Sequence, residues 1–343
     1  MTVRVGINGF GRIGRSFYRA QLDRGAGAGV ELVAVNDPFG DSATMAFLLK
    51  HDSVGGTLRN EVKATDDGFS VDGHEVKKLD VKEPAEIPWE DHGVEVVIES
   101  TGLFTAREKA AAHLEGGAKR VIISAPSGDA DATICMGVND SVYDPAAHTV
   151  LSNASCTTNC LAPLAKVLDD RFGIDHGLIT TVHAYTSDQQ LQDLATPSRS
   201  GKPDLRRMRA AALSIVPNTT GAARAIGLVL PQLKGRLDGM ALRVPTPTGS
   251  ITDFVANLSK DTSVDEVNAA FAEAANDAGY RGVLEYTEEP LVSADIIGNP
   301  ASCVFSAIDT MANGDTVKVL GWYDNEWGYS NRLIDLVEFV GTK

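Results

Sequence analysis

Short β-branched runs alternate with helix-patterned stretches through the first half of the chain. The pattern predicts strands at Val3–Asn8, Val30–Asn36, Val94–Ser100 and Arg120–Ala125. Between the last two, Thr105-Ala-Arg-Glu108 has the form of a capping box, in which the Thr side chain caps a backbone N–H and the Glu reaches back. The helix it opens is expected to run through Leu114 and to stop at Gly116-Gly117. Alternation of this kind predicts a parallel sheet covered by helices.

The second half has a different rhythm. Leu178–Tyr185 and Met240–Leu258 are long strand-like stretches, the latter broken at Pro245 and Pro247 because proline cannot donate to a ladder. Ser263-Val-Asp-Glu266 is a second capping box. It opens an amphipathic helix with Val267, Ala270, Phe271 and Ala274 on one side, ended by Gly279. Asn331–Val340 is again helical in pattern. Long strands with few helices between them predict a mixed or mostly antiparallel sheet, an α+β unit following an α/β one. A chain of 343 residues exceeds what one core usually serves, so two domains are expected, meeting near residue 155 without a flexible tether.

Composition narrows the class. The hydrophobic share of 43% and charged share of 22% fit a soluble globular protein. No run approaches the roughly 18 apolar residues of a membrane span. The start of the chain enters a strand pattern at once, without an apolar leader, so the cytoplasm is the expected location. A net charge of −15 disfavours nucleic acid and anionic membranes as partners. It fits an ordinary solvated surface, or adaptation to high salt, where screening relaxes self-repulsion. Four cysteines, Cys135, Cys156, Cys160 and Cys303, form neither a disulfide framework nor a metal-ligand spacing.

Chemistry enters first at Gly9-Phe-Gly11-Arg12-Ile13-Gly14, a GxGxxG motif between a strand and a helical pattern. The first glycine permits a tight turn, the second close approach of a pyrophosphate, and the third close helix–strand packing. Free N–H groups at the helix start favour the anion. Asp37, 23 residues beyond Gly14, ends the second strand where a ribose-binding acid is expected. Its carboxylate would accept from a 2′-hydroxyl and repel a 2′-phosphate, favouring NAD over NADP. The alternative is a glycine turn beside a helix-capping aspartate.

Ser155-Cys156-Thr157 precedes a helical pattern at Leu161, Leu164, Ala165 and Leu168, with Pro163 predicting a kink or a late start. A thiol at a helix N-terminus is expected to have a pKa below its free value of about 8.5. Cys160, one turn on, is expected in packing. His183 lies near the end of the strand-like run Leu178–Tyr185. A lone strand histidine is more often structural, but an imidazole delivered beside a thiol makes a nucleophile–base pair. Such a pair serves a hydrolase or an aldehyde dehydrogenase, and only the dehydrogenase uses the dinucleotide motif. Asp204-Leu-Arg206-Arg207-Met-Arg209, Thr220-Gly221 and Arg243 gather guanidinium groups and hydroxyls suited to phosphate. Three arginines on one helix turn would equally pair with acids, and spacing alone does not separate the two uses.

Longer blocks carry a resemblance. Gly6–Arg15, Glu99-Ser-Thr-Gly102, Ile123-Ser-Ala-Pro126, Ser152–Cys160, Thr181-Val-His-Ala-Tyr-Thr186, Arg243-Val-Pro-Thr-Pro247 and Trp322–Tyr329 together resemble the glyceraldehyde-3-phosphate dehydrogenase family over nearly the whole chain. The resemblance implies a Rossmann doubly wound parallel domain over 1–155, with helix 326–343 packing back on it, and an α+β catalytic domain over 156–325. It implies Cys156 as nucleophile and His183 as base. Gly9, Gly11, Arg12, Ile13, Gly14, Asp37, Lys82 and Ser124 would hold NAD, and Asn325 the nicotinamide amide. Ser155, Thr157, Thr186, Arg207, Thr220, Gly221 and Arg243 would hold two phosphates, those of D-glyceraldehyde 3-phosphate and inorganic phosphate. Homotetramers are implied as well. Erythrose-4-phosphate dehydrogenase shares these motifs but ends on water, and a fold-retaining binding module without catalysis is the alternative of another class. Three positions depart from the family pattern: Lys82 where a stacking arginine is common, a longer segment Leu191–Pro203, and Leu194-Ala195 where Leu-Pro is frequent.

Overall fold

The computed structural model describes residues 2–195 and 203–343, so most of the Leu191–Pro203 segment lies outside the described residues. The chain divides into two compact units, Met1–Ser155 with Tyr329–Lys343, and Cys156–Gly328.

The first unit is a doubly wound sheet of nine strands. In spatial order they are Ala132–Thr133, Val150–Ser152, Arg120–Ile123, Val96–Glu99, Val3–Asn8, Val30–Asn36, His74–Leu79, Gly68–Val71 and Val62–Thr65. Pairing is parallel as far as His74–Leu79, and the last two strands close antiparallel. The central strands are apolar on both faces, as Val5, Ile7, Val96, Val97 and Ile98 are all essentially inaccessible, which a sheet covered on two sides requires. The chain reverses direction of growth between Val3–Asn8 and Val96–Glu99, the switch point where open α/β sheets bind ligands. The helix Arg12–Arg24 leads directly from the glycine turn. The helix Trp327–Gly341 ties in through Arg24, which donates to Asp335 at 2.6 Å and to Asn331 at 2.8 Å.

Two local expectations give way here. Thr105 does not cap a helix: the helix is Arg107–Ala111, and its first N–H is taken by Asp129 Oδ1 at 2.9 Å. A charged acceptor from a loop 22 residues away displaces the local hydroxyl. The remaining turn to Leu114 is 3₁₀ rather than α.

The second unit is a mixed seven-stranded sheet in the order Val216–Thr219, Leu237–Val244, Ile174–Ala184, Ser250–Leu258, Thr316–Tyr323, Cys303–Asn313, Leu284–Thr287. The prolines do break the long Met240–Leu258 stretch, and the two resulting strands flank Ile174–Ala184 on opposite sides. The helix Cys156–Phe172 packs on this sheet between Ala222–Val229 and Val264–Ala275. It begins at Cys156 and runs through Pro163, so the late start is not seen. Ser263 and Glu266 form the expected reciprocal capping box, but the helix stops at Ala275. Gly279 falls in a separate short turn, Ala278–Tyr280. Alternate residues of the strands face the helices; Leu178 and Met240, on the opposite face, are 65% and 40% exposed.

Candidate active site

In the first unit, the strand Val3–Asn8 ends at Gly9, whose φ of +93° only glycine adopts readily. A Cβ there would lie 2.7 Å from the Thr101 nitrogen, and one on Gly14 would lie 2.6 Å from the Gly9 carbonyl. Both glycines therefore serve packing of the turn. Gly11 differs: a Cβ would meet nothing within 4 Å. It is the N-cap of the helix Arg12–Arg24 and has no side chain to satisfy the orphan N–H groups. That is an open cradle of donors at the positive end of a helix, which fits a pyrophosphate. Asp37 accepts from the Phe10 N–H at 2.9 Å and the Phe39 N–H at 2.9 Å, so the carboxylate is oriented by the glycine loop itself. Arg12 and Ile13 open the helix; Arg12 pairs with Asp52 at 2.5 Å. Ser124 donates its N–H to Glu99 O at 2.9 Å, beyond the strand Arg120–Ile123. Lys82 stands exposed in the loop after His74–Leu79.

In the second unit, the helix start brings Cys156 Sγ to 3.3 Å from His183 Nε2. The ring is placed by its strand and by Tyr323, whose ring meets it edge-on at 5.9 Å. Tyr323 OH is itself pinned by Thr157 at 2.8 Å and Thr181 at 2.7 Å. Parallel pairing of Ile174–Ala184 with Leu237–Val244 sets His183 opposite Arg243. Arg243 Nη1 consequently lies 2.5 Å from His183 Nδ1 and 2.9 Å from Ala184 O, and Nδ1 lies 2.7 Å from that same carbonyl. Arginine only donates and a carbonyl only accepts, so the two neighbours of Nδ1 favour opposite tautomers.

The electrostatics correct the expectation of a depressed thiol pKa. Burial pushes the Cys156 thiol up, outweighing the pull of Arg243 and of hydrogen bonds at Thr157. Burial, with Arg243 adding to it, lowers His183 to about 3. Burial thus favours the thiol beside a neutral imidazole, working against the helix N-terminus.

Thr186 and Arg207 converge on a residue that sequence reasoning missed. Asp188 accepts from the Thr186 hydroxyl and pairs with Arg207. Burial would raise its carboxyl, but Thr186, Arg207 and Arg243 together hold it below its usual value. Its only signal in the sequence is its place two residues beyond Thr186. The Arg206–Arg209 segment forms turns rather than a helix. Arg206 donates to Pro217 O at 3.2 Å and Arg209 pairs with Asp193 at 2.8 Å, so these two are structural. Thr220 and Gly221 precede the helix Ala222–Val229, with Thr220 Oγ1 accepting from Ala222 N at 3.1 Å. Asn325 is buried, and its Oδ1 accepts from Ser250 at 2.9 Å, with Thr248 Oγ1, which donates to Asp324 at 2.8 Å, lying 3.2 Å away. Ser155 and Thr157 flank Cys156 in sequence, Thr157 buried and Ser155 partly exposed.

A glycine-loop dinucleotide fold and a thiol–imidazole pair together define an NAD-dependent oxidoreductase. Comparison with known proteins makes this specific. Residues 3–107 match the family model for the glyceraldehyde 3-phosphate dehydrogenase NAD binding domain, and residues 155–325 match that for its C-terminal domain. The chain is 60% identical to glyceraldehyde-3-phosphate dehydrogenase of Streptomyces coelicolor over 344 aligned positions, covering 100% of both chains. It is 59% identical to the Mycobacterium bovis enzyme of the same name, covering 99% of each. The chain belongs to the glyceraldehyde-3-phosphate dehydrogenase family.

Proposed function

We propose that this chain oxidises D-glyceraldehyde 3-phosphate to 1,3-bisphosphoglycerate, with inorganic phosphate as acyl acceptor and NAD as oxidant. The observation that carries the reading is the 3.3 Å approach of Cys156 Sγ and His183 Nε2. NAD, when bound, supplies an acceptor for the hydride of the aldehyde carbon. Gly9, Gly11 and Gly14 shape its cradle, with Arg12, Ile13, Lys82 and Ser124 around it and Asp37 on the ribose. Asn325, its oxygen taken by Ser250, has its Nδ2 hydrogens to offer the nicotinamide amide.

The working tautomer of His183 carries its proton on Nδ1, donated to Ala184 O, and turns the Nε2 lone pair to the thiol. Nε2 takes the Cys156 proton as sulfur adds to the aldehyde carbon, and returns it to the new alkoxide. It takes that proton again as hydride departs, leaving a thioester on Cys156. A phosphate oxygen then attacks the thioester carbon, the C–S bond breaks, and the sulfur regains a proton through His183. Phosphate outcompetes water only in a preorganised anion site. Ser155, Thr157, Thr186, Arg207, Thr220, Gly221 and Arg243 supply it, with Asp188 as the resident carboxylate that incoming phosphate displaces from Thr186 and Arg207.

Homotetrameric assembly is supported by the apolar outer face of the second sheet, where Leu178 and Met240 lie open. No helix among the described residues is long and apolar enough to cross a membrane, in keeping with work in the cytoplasm. The charge of −15 supports function at high ionic strength, and activity that collapses in molar KCl would overturn that part.

The test is nicotinamide reduction followed by absorbance, with and without phosphate. Cys156→Ser should lower turnover about 10⁴-fold or more while NAD affinity stays unchanged. Turnover within tenfold of wild type in that variant refutes the nucleophile assignment. Oxidation that proceeds equally well without phosphate refutes the acyl acceptor.

A further inference from the structure

Behind the glycine loop lies a buried polar row that the reaction as derived leaves unused. Asn36, Asn8 and Glu99 are the last residues of three adjacent parallel strands and stand in register, on both sides of the switch point. None is more than 3% exposed. Asn36 Nδ2 donates to Asn8 Oδ1 at 2.8 Å, and Asn8 Nδ2 donates to Glu99 Oε2 at 2.6 Å. His113 Nε2 lies 3.0 Å from the same Glu99 oxygen, and Trp89 Nε1 lies 3.1 Å from His113 Nδ1.

The direction of these bonds is fixed by the indole. Trp89 N–H can only donate, so His113 Nδ1 accepts, the ring proton stands on Nε2, and Nε2–H donates to Glu99. The other carboxylate oxygen accepts from the Thr101 N–H at 2.9 Å and from the Thr101 hydroxyl. A carboxylate offers about four acceptor sites, and four donors fill them here. Burying such a group is costly compared with an apolar one of equal size. Its use lies in the four directed bonds.

Those bonds end on the wall of the cradle. Ser100 Oγ donates to Gly9 O at 2.6 Å, and a Cβ on Gly9 would strike Thr101 N at 2.7 Å. We infer that Glu99, clamped by His113 and Trp89, is a positioning residue for NAD: it sets the Ser100–Thr101 turn against Gly9 and so fixes the shape of the loop that receives the dinucleotide. This rests on the reading of Gly9–Gly14 as the NAD cradle.

Glu99→Gln tests it without changing size. With the amide oxygen toward Thr101, its NH₂ faces two donors, Asn8 and His113; reversed, it faces the Thr101 backbone N–H, which cannot turn away. His113 could relieve the first conflict by moving its proton to Nδ1, but the Trp89 N–H forbids it. Trp89→Phe removes that veto. In calorimetric titration of the full-length protein with NAD, Glu99→Gln should weaken binding about tenfold, and Glu99→Gln with Trp89→Phe should bind more tightly than Glu99→Gln alone. The alkylation rate of Cys156 by iodoacetamide should stay at the wild-type value in both. Wild-type affinity in Glu99→Gln, or no recovery in the double variant, overturns the inference while the cofactor reading stands. Absence of NAD binding by the wild type overturns both. Should Glu99→Gln not fold, Thr101→Val removes one donor and keeps the shape, and an unchanged NAD affinity there is equally fatal.

Discussion

The dinucleotide cradle and the thiol site hold their groups by different means. In the first unit the surface proposed to meet the pyrophosphate is backbone: the turn at Gly9, the bare N-cap at Gly11, and a wall at Ser100–Thr101 braced from behind by neutral and singly charged groups whose hydrogen bonds are filled. In the second unit the surface is side chains of opposite charge held close, with Arg243 against His183, and Asp188 between Thr186 and Arg207. The first arrangement leaves backbone donors open at a helix start. In the second, a phosphate bound as proposed would compete with Asp188 for the same donors. Rigid backbone suits the pyrophosphate of a dinucleotide, which takes no part in the bond changes, and exchangeable ion pairs suit a phosphate that must be admitted and released at the reacting carbon.

The contrast is broken most severely by Arg243→Gln. It should lower kcat/KM for the aldehyde about a hundredfold or more, the cost of losing a charged, partly buried anion ligand. It should also move the titration of the site in a defined direction. Arg243 pulls the Cys156 thiol down against burial and pushes His183 down together with burial. Removing the charge therefore raises both, and the pH midpoint for alkylation of Cys156 by iodoacetamide should shift upward. A midpoint that stays put or falls would show that Arg243 does not set the field at the sulfur.

The backbone cradle can be probed with two glycines only three residues apart. Gly11→Ala adds a methyl where the protein has nothing within 4 Å, at a φ of −76° that alanine tolerates. Thermal stability should hold while NAD affinity falls about tenfold, because the methyl occupies the space of close backbone approach. Gly14→Ala places its methyl 2.6 Å from the Gly9 carbonyl and should cost about 1–3 kcal/mol of stability by overpacking. Equal effects of the two on folding and on binding would erase the distinction. The smallest expected change is far from either site. Ser263→Ala removes half of a capping box and should cost about 1 kcal/mol in denaturant unfolding, with kinetics unchanged.

The parts legible in the sequence are those whose partners are near in the chain. Gly9 to Gly14, the strand before them and the helix after them are contiguous, and so are Cys156 and the helix it opens. The capping box at Ser263 is closed by residues three apart in the chain, whereas at Thr105 the N–H goes to Asp129 from a distant loop. The pairing of His183 with Arg243 depends on strand register across 60 residues, and no local pattern encodes it. The same holds for Trp89, His113 and Glu99, which are brought together only when the sheet assembles. The upward direction of the Cys156 pKa is illegible for a related reason: the helix end is visible in sequence, and the burial that outweighs it is not.

The fifteen-residue helix Trp327–Gly341 has a bearing on how the chain is made. All but its first two residues belong to the unit that the opening residues begin, and Gly341 comes so near Val3 that a Cβ there would sit 2.4 Å from it. The glycine turn leaves the ribosome before the second unit, and the helix that packs against its sheet leaves after it. Domains generally fold as units during synthesis, but this one is built from two stretches separated by the whole of the second unit, so its first stretch cannot close until the ribosome has made that unit and the helix beyond it.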